Sequence, residues 1–63
     1  MTAQEIKAVE KELDISFKDC VKSNWRASTE SYYVGQKRMI ELLGYEIKRN
    51  NGKHKIIKKG DIQ

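Results

Sequence analysis

Two short runs of mixed apolar and basic residues meet at Asn51-Gly52, inside the stretch GYEIKRNNGKHKIIKK from Gly44 to Lys59. A two-residue hairpin loop of the type I′ form needs positive φ at both central positions. Asn and Gly tolerate that conformation, and the loop's twist matches that of the flanking strands. The segment is therefore predicted to be a β-hairpin over about residues 45–58. In that register Ile47 pairs with Ile56 and Arg49 with His54. Tyr45, Ile47 and Ile56 then share one face for burial, and Lys48, Lys53 and Lys55 point the other way. A three-residue loop with a bulge at Gly52 would slip the pairing by one and reverse the face of Ile56. The stretch carries Lys48, Arg49, Lys53, Lys55, Lys58 and Lys59, with no acid after Glu46, so the ribbon is cationic. The tail from Lys58 to Gln63 is expected to fray.

Upstream of the hairpin the apolar spacing is helical. Ile6, Val9 and Leu13 recur between Lys and Glu residues, which predicts a first helix from about Ala3 to Leu13. Ser16 precedes Asp19 by three residues in a near match to a capping box, with Ile15 and Cys20 placed to act as a staple across it. A second helix is thus expected from about Phe17 to Arg26, burying Phe17, Cys20, Val21 and Trp25. The stripe also continues from Leu13, so one helix from Ala3 to Arg26 is the alternative. Asn24 is a candidate left-handed residue near its end. Ser28 and Thr29 are cap candidates for a third helix running from about residue 29 to Leu43, with Glu30 complementing its dipole. Tyr32, Tyr33, Met39, Ile40, Leu42 and Leu43 give this helix a broad apolar face, and Gly44 stands where a helix terminus favours a left-handed residue. Gly35 in its middle costs ~1 kcal/mol relative to Ala and suggests a close backbone approach. The predicted class is α+β: two or three helices followed by a C-terminal hairpin, in one domain over residues 1–63.

Sixty-three residues build only a small core, so dimerisation or a partner would add stability. No apolar run approaches the ~18 residues of a membrane span, and the N-terminal stretch lacks the pattern of a secretory signal. A single cysteine, Cys20, has no internal disulfide partner, which suits a reducing cytoplasm. The net charge of +4 is unevenly spread. Met1 to Ser31 holds five basic and six acidic residues (−1), and Tyr32 to Gln63 holds eight basic and three acidic (+5). The field that a partner would meet lies in the second half.

Catalytic chemistry has no foothold in the pattern. His54 is the sole histidine and stands apart from any set of ligands at metal-site spacing, so a surface or cross-strand role is expected. Cys20 sits at a helical core position with no general base near it and reads as a small buried hydrophobe. There is no Gly-rich phosphate loop, carboxylate pair or Ser-His arrangement, so the expectation is a protein that is not an enzyme and needs no cofactor or metal. Trp25 reads as a core or interface anchor. Tyr32-Tyr33 could stack on bases, although their spacing with Met39 and Ile40 favours the core.

The order of helices then hairpin resembles the winged helix-turn-helix family. The likeness is carried by STESYYVGQKRMIELLGYEIKRNNGKHKII, in which a helix ends in Leu-Gly-Tyr and enters two wing strands. It extends over roughly Ile15 to Lys59. Compact basic chains of this style are common among phage and mobile-element regulators. The resemblance implies a third helix in the major groove and a wing on phosphates. Thr29, Ser31, Lys37 and Arg38 would then lie on the groove side, and Arg49, Lys53 and Lys55 on the wing. With Lys48 and Lys58 these cations form the candidate nucleic-acid-binding set. About four to six phosphate contacts would give a salt slope of roughly −4 to −5 on duplex DNA. The rival reading is a protein-interaction module, an inhibitor or adaptor, whose basic ribbon meets an acidic protein with Trp25 or Tyr32 as anchor. Lysines that merely block edge pairing and confer solubility are the plainest explanation of the outward cations.

Overall fold

The structure is a computed structural model that describes residues 1–59. It contains two helices and a hairpin: α1 (Ala3–Lys22), α2 (Ala27–Leu42), β1 (Tyr45–Asn50) and β2 (Lys53–Lys58). The α+β class with a C-terminal antiparallel hairpin follows directly. The expected tail beyond Lys59 lies outside the described residues, whereas Lys58 belongs to β2 and the Lys59 N–H donates to the Gly44 carbonyl at 2.8 Å.

The predicted break near Ser16 is absent, and α1 is continuous for 20 residues. A cap would need Ser16 to leave the helical conformation and offer its oxygen to a following N–H. Ser16 is instead buried within the helix, and its hydroxyl donates across to Gln36 Oε1 on α2. Leu13, Ser16 and Cys20 form one buried stripe at helical spacing, so packing favours continuity. Ile15, expected to staple the break, is exposed. The capping box belongs to Thr2 and Glu5: Glu5 N–H donates to Thr2 Oγ1 at 3.1 Å, and Thr2 N–H to Glu5 Oε1 at 2.7 Å. The Thr2 backbone N–H, against an opposing effect of desolvation and with further help from the Thr2 hydroxyl, holds the Glu5 carboxyl below its ordinary pKa.

A Schellman motif ends α1. Asn24 N–H donates to Val21 O at 3.1 Å and Trp25 N–H to Cys20 O at 2.7 Å. Asn24 adopts the left-handed conformation expected of it (φ 58°), and Trp25 shares it (φ 59°). The next helix starts at Ala27, not at Ser28 or Thr29, with Arg26 in the cap position. Thr29 Oγ1 donates to Arg26 O at 2.9 Å and also meets Ser23 Oγ at 2.7 Å, which ties the connection together. Gly44 after α2 is left-handed as expected (φ 94°), with its N–H on Glu41 O.

The hairpin has the two-residue turn and the predicted register. Asn51 and Gly52 have φ of 55° and 83°, and Ile47 pairs with Ile56, Lys48 with Lys55 and Arg49 with His54. Its inner face packs on both helices, with β2 over α1 and β1 over α2. Leu13, Cys20, Tyr33, Ile40, Tyr45 and Ile56 form the core, flanked by Ile6, Val9, Phe17 and Ile47. The broad apolar face expected of the third helix is only partly used. Tyr33 and Ile40 are buried, but Tyr32 is 62%, Met39 64% and Leu42 79% exposed. Val21 and Trp25 are also largely exposed, so the second predicted stripe buries only Cys20 fully. A two-stranded sheet covers one flank of α2 and α1 another, which leaves too little structure to cover the rest. Gly35 has nothing within 4 Å of where a Cβ would stand, so it marks no close approach.

Candidate functional site

Alternation along the hairpin decides which cations reach solvent together. Residues pairing across β1 and β2 share a face. The outer face therefore carries Glu46 and Ile57, Lys48 and Lys55, and Asn50 and Lys53. Lys48, Lys53 and Lys55 are exposed there, close to the turn, while Glu46 and Ile57 are half-buried at the other end. Lys48 and Lys55 face each other across the outer side of the ribbon, and Lys53, exposed beside the turn, also lines a pocket with Asp14, Phe17 and Lys18 of α1.

The other predicted cations are distributed differently. Arg49 shares the inner parity of Ile47, and its Cζ lies 4.7 Å from the Phe17 ring centroid. Lys37 is half-buried, with Nζ 4.8 Å from the Tyr33 ring centroid. Both line a cleft with Tyr33, Glu41, Ile47 and His54 beside β1. Each is engaged with an aromatic face, a contact of about 0.5–1 kcal/mol at partly exposed sites. Arg38 is exposed and about 100° further round α2 than Lys37, so it joins neither the cleft nor the ribbon. Lys58 is exposed opposite Tyr45, on the inner parity. Ser31 is exposed and lines a groove between α1 and α2 with Val9, Glu12, Tyr32, Gly35, Gln36, Met39 and Ile40. The Thr29 hydroxyl is occupied by the α1–α2 connection. The structure thus gathers Lys48, Lys53 and Lys55, gathers Lys37 with Arg49 elsewhere, and leaves Arg38 apart.

His54 is not a surface residue. It is buried, with Nε2 2.6 Å from Tyr33 Oη and Nδ1 2.7 Å from Asp14 Oδ1, and its backbone N–H donates to the same carboxylate oxygen at 2.8 Å. Nδ1–H donates to Asp14, and Nε2 and the Tyr33 hydroxyl share a hydrogen bond in which either group can be the donor. Desolvation pushes the Asp14 carboxyl up, but the His54 side-chain and backbone hydrogen bonds, with the charges of His54 and Lys53, outweigh it and hold the pKa below the ordinary 3.8. Burial pushes the Tyr33 phenol up, and the nearby Arg49 offsets this in part. A phenol held protonated is a hydrogen-bond donor and a poor nucleophile. The Asp-His-Tyr chain therefore fastens α1, β2 and α2 together.

Sequence reasoning missed the role of α1 in guarding β2. Ile56 N–H donates to Glu10 Oε2 at 2.8 Å, as His54 N–H does to Asp14. Carboxylates four residues apart on a helix are separated by about 6 Å along its axis, close to the roughly 6.7 Å between alternate strand residues. The pair fits two successive outward N–H groups on the free edge of β2. An i, i+4 acidic pair was visible in the sequence, but its target depends on how the hairpin docks.

Among the described residues no group of three or more His, Cys, Asp or Glu side chains is arranged to hold a metal ion, and no described helix is long and apolar enough to cross a membrane. Neither a protein-family model, nor a curated protein, nor a solved structure matches the chain.

Proposed function

We propose that the chain is a small, non-enzymatic nucleic-acid-binding protein that meets phosphates with the outer face of its hairpin. The observation carrying this reading is the convergence of Lys48, Lys53 and Lys55 on a solvent-facing ribbon. A two-stranded ribbon is narrow enough to enter the major groove of B-DNA, and Asn50 and Asn51 at its tip offer amides for base edges or phosphates. In this reading the hairpin alone supplies the binding surface, whereas a winged helix would also use α2. The exposed side of α2 presents Tyr32, Met39 and Leu42, which have little affinity for a phosphate backbone, so the ribbon acts without a recognition helix. Three lysines correspond to a salt slope of about −3 on duplex DNA, shallower than a set that also included Lys37 and Arg38. Fluorescence anisotropy with labelled random duplex DNA, single-stranded DNA and RNA at 50 mM salt tests the proposal. Binding to at least one of them supports it, and absence of binding to all three refutes it.

A second reading has its own observation. Tyr32, Met39 and Leu42 are exposed apolar groups on α2, flanked by Glu12 and Arg38, and such a patch suits a protein partner. In that case Tyr32 is the anchor, the ribbon contributes attraction toward an acidic surface, and a defined heteromeric complex forms without nucleic acid.

A further inference from the structure

The two edges of the sheet are treated differently. The Gly44–Lys59 hydrogen bond and the two-residue turn fix the alternation, so Tyr45, Ile47 and Arg49 direct their N–H and C=O groups to the free edge of β1. His54 and Ile56 do the same on β2, where Asp14 and Glu10 accept the N–H groups. No hydrogen bond among the described residues reaches the equivalent N–H groups on β1. Proline and a bulge, two devices that blunt a strand edge, are missing there, and the charges of Glu46, Lys48 and Arg49 along the strand decide which partner the edge accepts.

We propose that β1 pairs, antiparallel, with β1 of a second copy about a two-fold axis at Ile47, giving a continuous four-stranded sheet. The occupant follows from charge along the strand. Hydrogen bonding requires the outward residues Tyr45, Ile47 and Arg49 to face one another, which leaves few registers. Centred on Ile47, the pairing sets Ile47 against Ile47, Tyr45 against Arg49, and Glu46 against Lys48 of the second copy, twice by symmetry. Shifting one way sets Glu46 against Glu46, and shifting the other sets Lys48 against Lys48. Opposite charges directly across an antiparallel pair are favourable and like charges are not, so a single register is selected. That register uses all five residues from Tyr45 to Arg49 and adds cover to half-buried Ile47. It also places the outer lysines of both copies on one sheet face. Four strands spaced about 4.8 Å apart are too broad for a 12 Å groove once side chains are added, so the dimer would lie across phosphates instead of entering between them. Dimerisation itself does not depend on nucleic-acid binding.

Sedimentation equilibrium of the full chain at 50 mM salt, pH 7, over a concentration series, tests the pairing. Glu46→Lys alone and Lys48→Glu alone should each weaken the dimer by about tenfold or more, since each turns two attractive pairs into two repulsive ones. Combining the two substitutions restores the cross-strand pattern with its sign inverted, and the dimer should recover to within about threefold. Circular dichroism checks that each variant is folded. Hydrogen exchange on the wild type gives a second readout independent of substitution: the amides of Tyr45, Ile47 and Arg49 should gain protection as concentration rises. A monomer at 1 mM overturns the proposal. So does a dimer indifferent to the charge swaps, or one dissolved by Met39→Ser with Leu42→Ser while β1 amides stay unprotected.

Discussion

Replacing Asp14 by Ala removes one oxygen that accepts two hydrogen bonds from His54, one from the backbone N–H and one from Nδ1. Hydrogen bonds to a charged group contribute about 1.5–3 kcal/mol, and a buried donor left unpaired costs about 1–3 kcal/mol. The strand N–H can turn to water at the edge, but Nδ1–H lies on a fully buried ring. A loss of about 3 kcal/mol is therefore expected for Asp14→Ala, against about 1 kcal/mol for Asp14→Asn, which keeps a neutral acceptor. In a domain of this size 3 kcal/mol corresponds to a fall in Tm of roughly 12–24 °C. Urea titration followed by Trp25 fluorescence measures the change, since the indole sits edge-on to Phe17 at 5.6 Å. A double-mutant cycle with His54→Leu isolates the Nδ1 bond, because the backbone N–H of residue 54 survives in both backgrounds. Coupling of at least about 1 kcal/mol is expected. The pH dependence adds a signed test. Folded Asp14 titrates below 3.8, so its contribution is complete at neutral pH and disappears as pH falls from about 4 through the folded value. The stability gap between wild type and Asp14→Ala should narrow over that acid range. Additive effects of the two substitutions, or a gap that widens on acidification, would refute the reasoning.

Three further outcomes follow from single positions. Gly52→Ala should cost about 1–2 kcal/mol by urea titration from its positive φ alone, because the new Cβ would meet Phe17 at an ordinary 3.6 Å. Thr2→Ala removes the capping box and should lower stability by about 1 kcal/mol, with the helical circular dichroism signal fraying first at the start of α1. Cys20 is wholly buried and its Sγ donates to Thr29 O at 3.4 Å, so its reaction with a thiol reagent should track global unfolding and accelerate in urea.

The hairpin was legible because its determinants are local: Asn51-Gly52 sets the turn, and the turn sets the register of Ile47 with Ile56. The left-handed residues Asn24 and Gly44 were legible for the same reason, although α1 ends at Lys22 and not at the expected Arg26. Continuity of α1 was not, because Ser16 and Asp19 imitate a cap whose oxygen is in fact drawn to Gln36 on another helix. Tertiary packing also decides the fate of each cation. Alternation alone put Lys48, Lys53 and Lys55 outward, but Arg49 turns in over Phe17, a ring on a distant helix, while Lys37 lies over Tyr33 one turn earlier on α2. His54 does stand across the ladder from Arg49 as expected, but its burial was not legible, because Asp14 lies 40 residues before it and Tyr33 lies on a different helix. Exposed Tyr32, Met39 and Leu42 show the limit of periodicity, which identifies an apolar stripe without saying how much of it the rest of a small chain can cover.

The salt dependence of duplex DNA binding, compared between wild type and a Lys48→Ala, Lys53→Ala, Lys55→Ala variant, addresses the outer ribbon directly. The wild-type log-log slope should be about −3 per protomer bound and should approach zero in the triple variant, while Lys37→Ala with Arg38→Ala leaves it within about one of the wild-type value. A triple variant that binds with an unchanged slope would contradict the assignment of this face to phosphates.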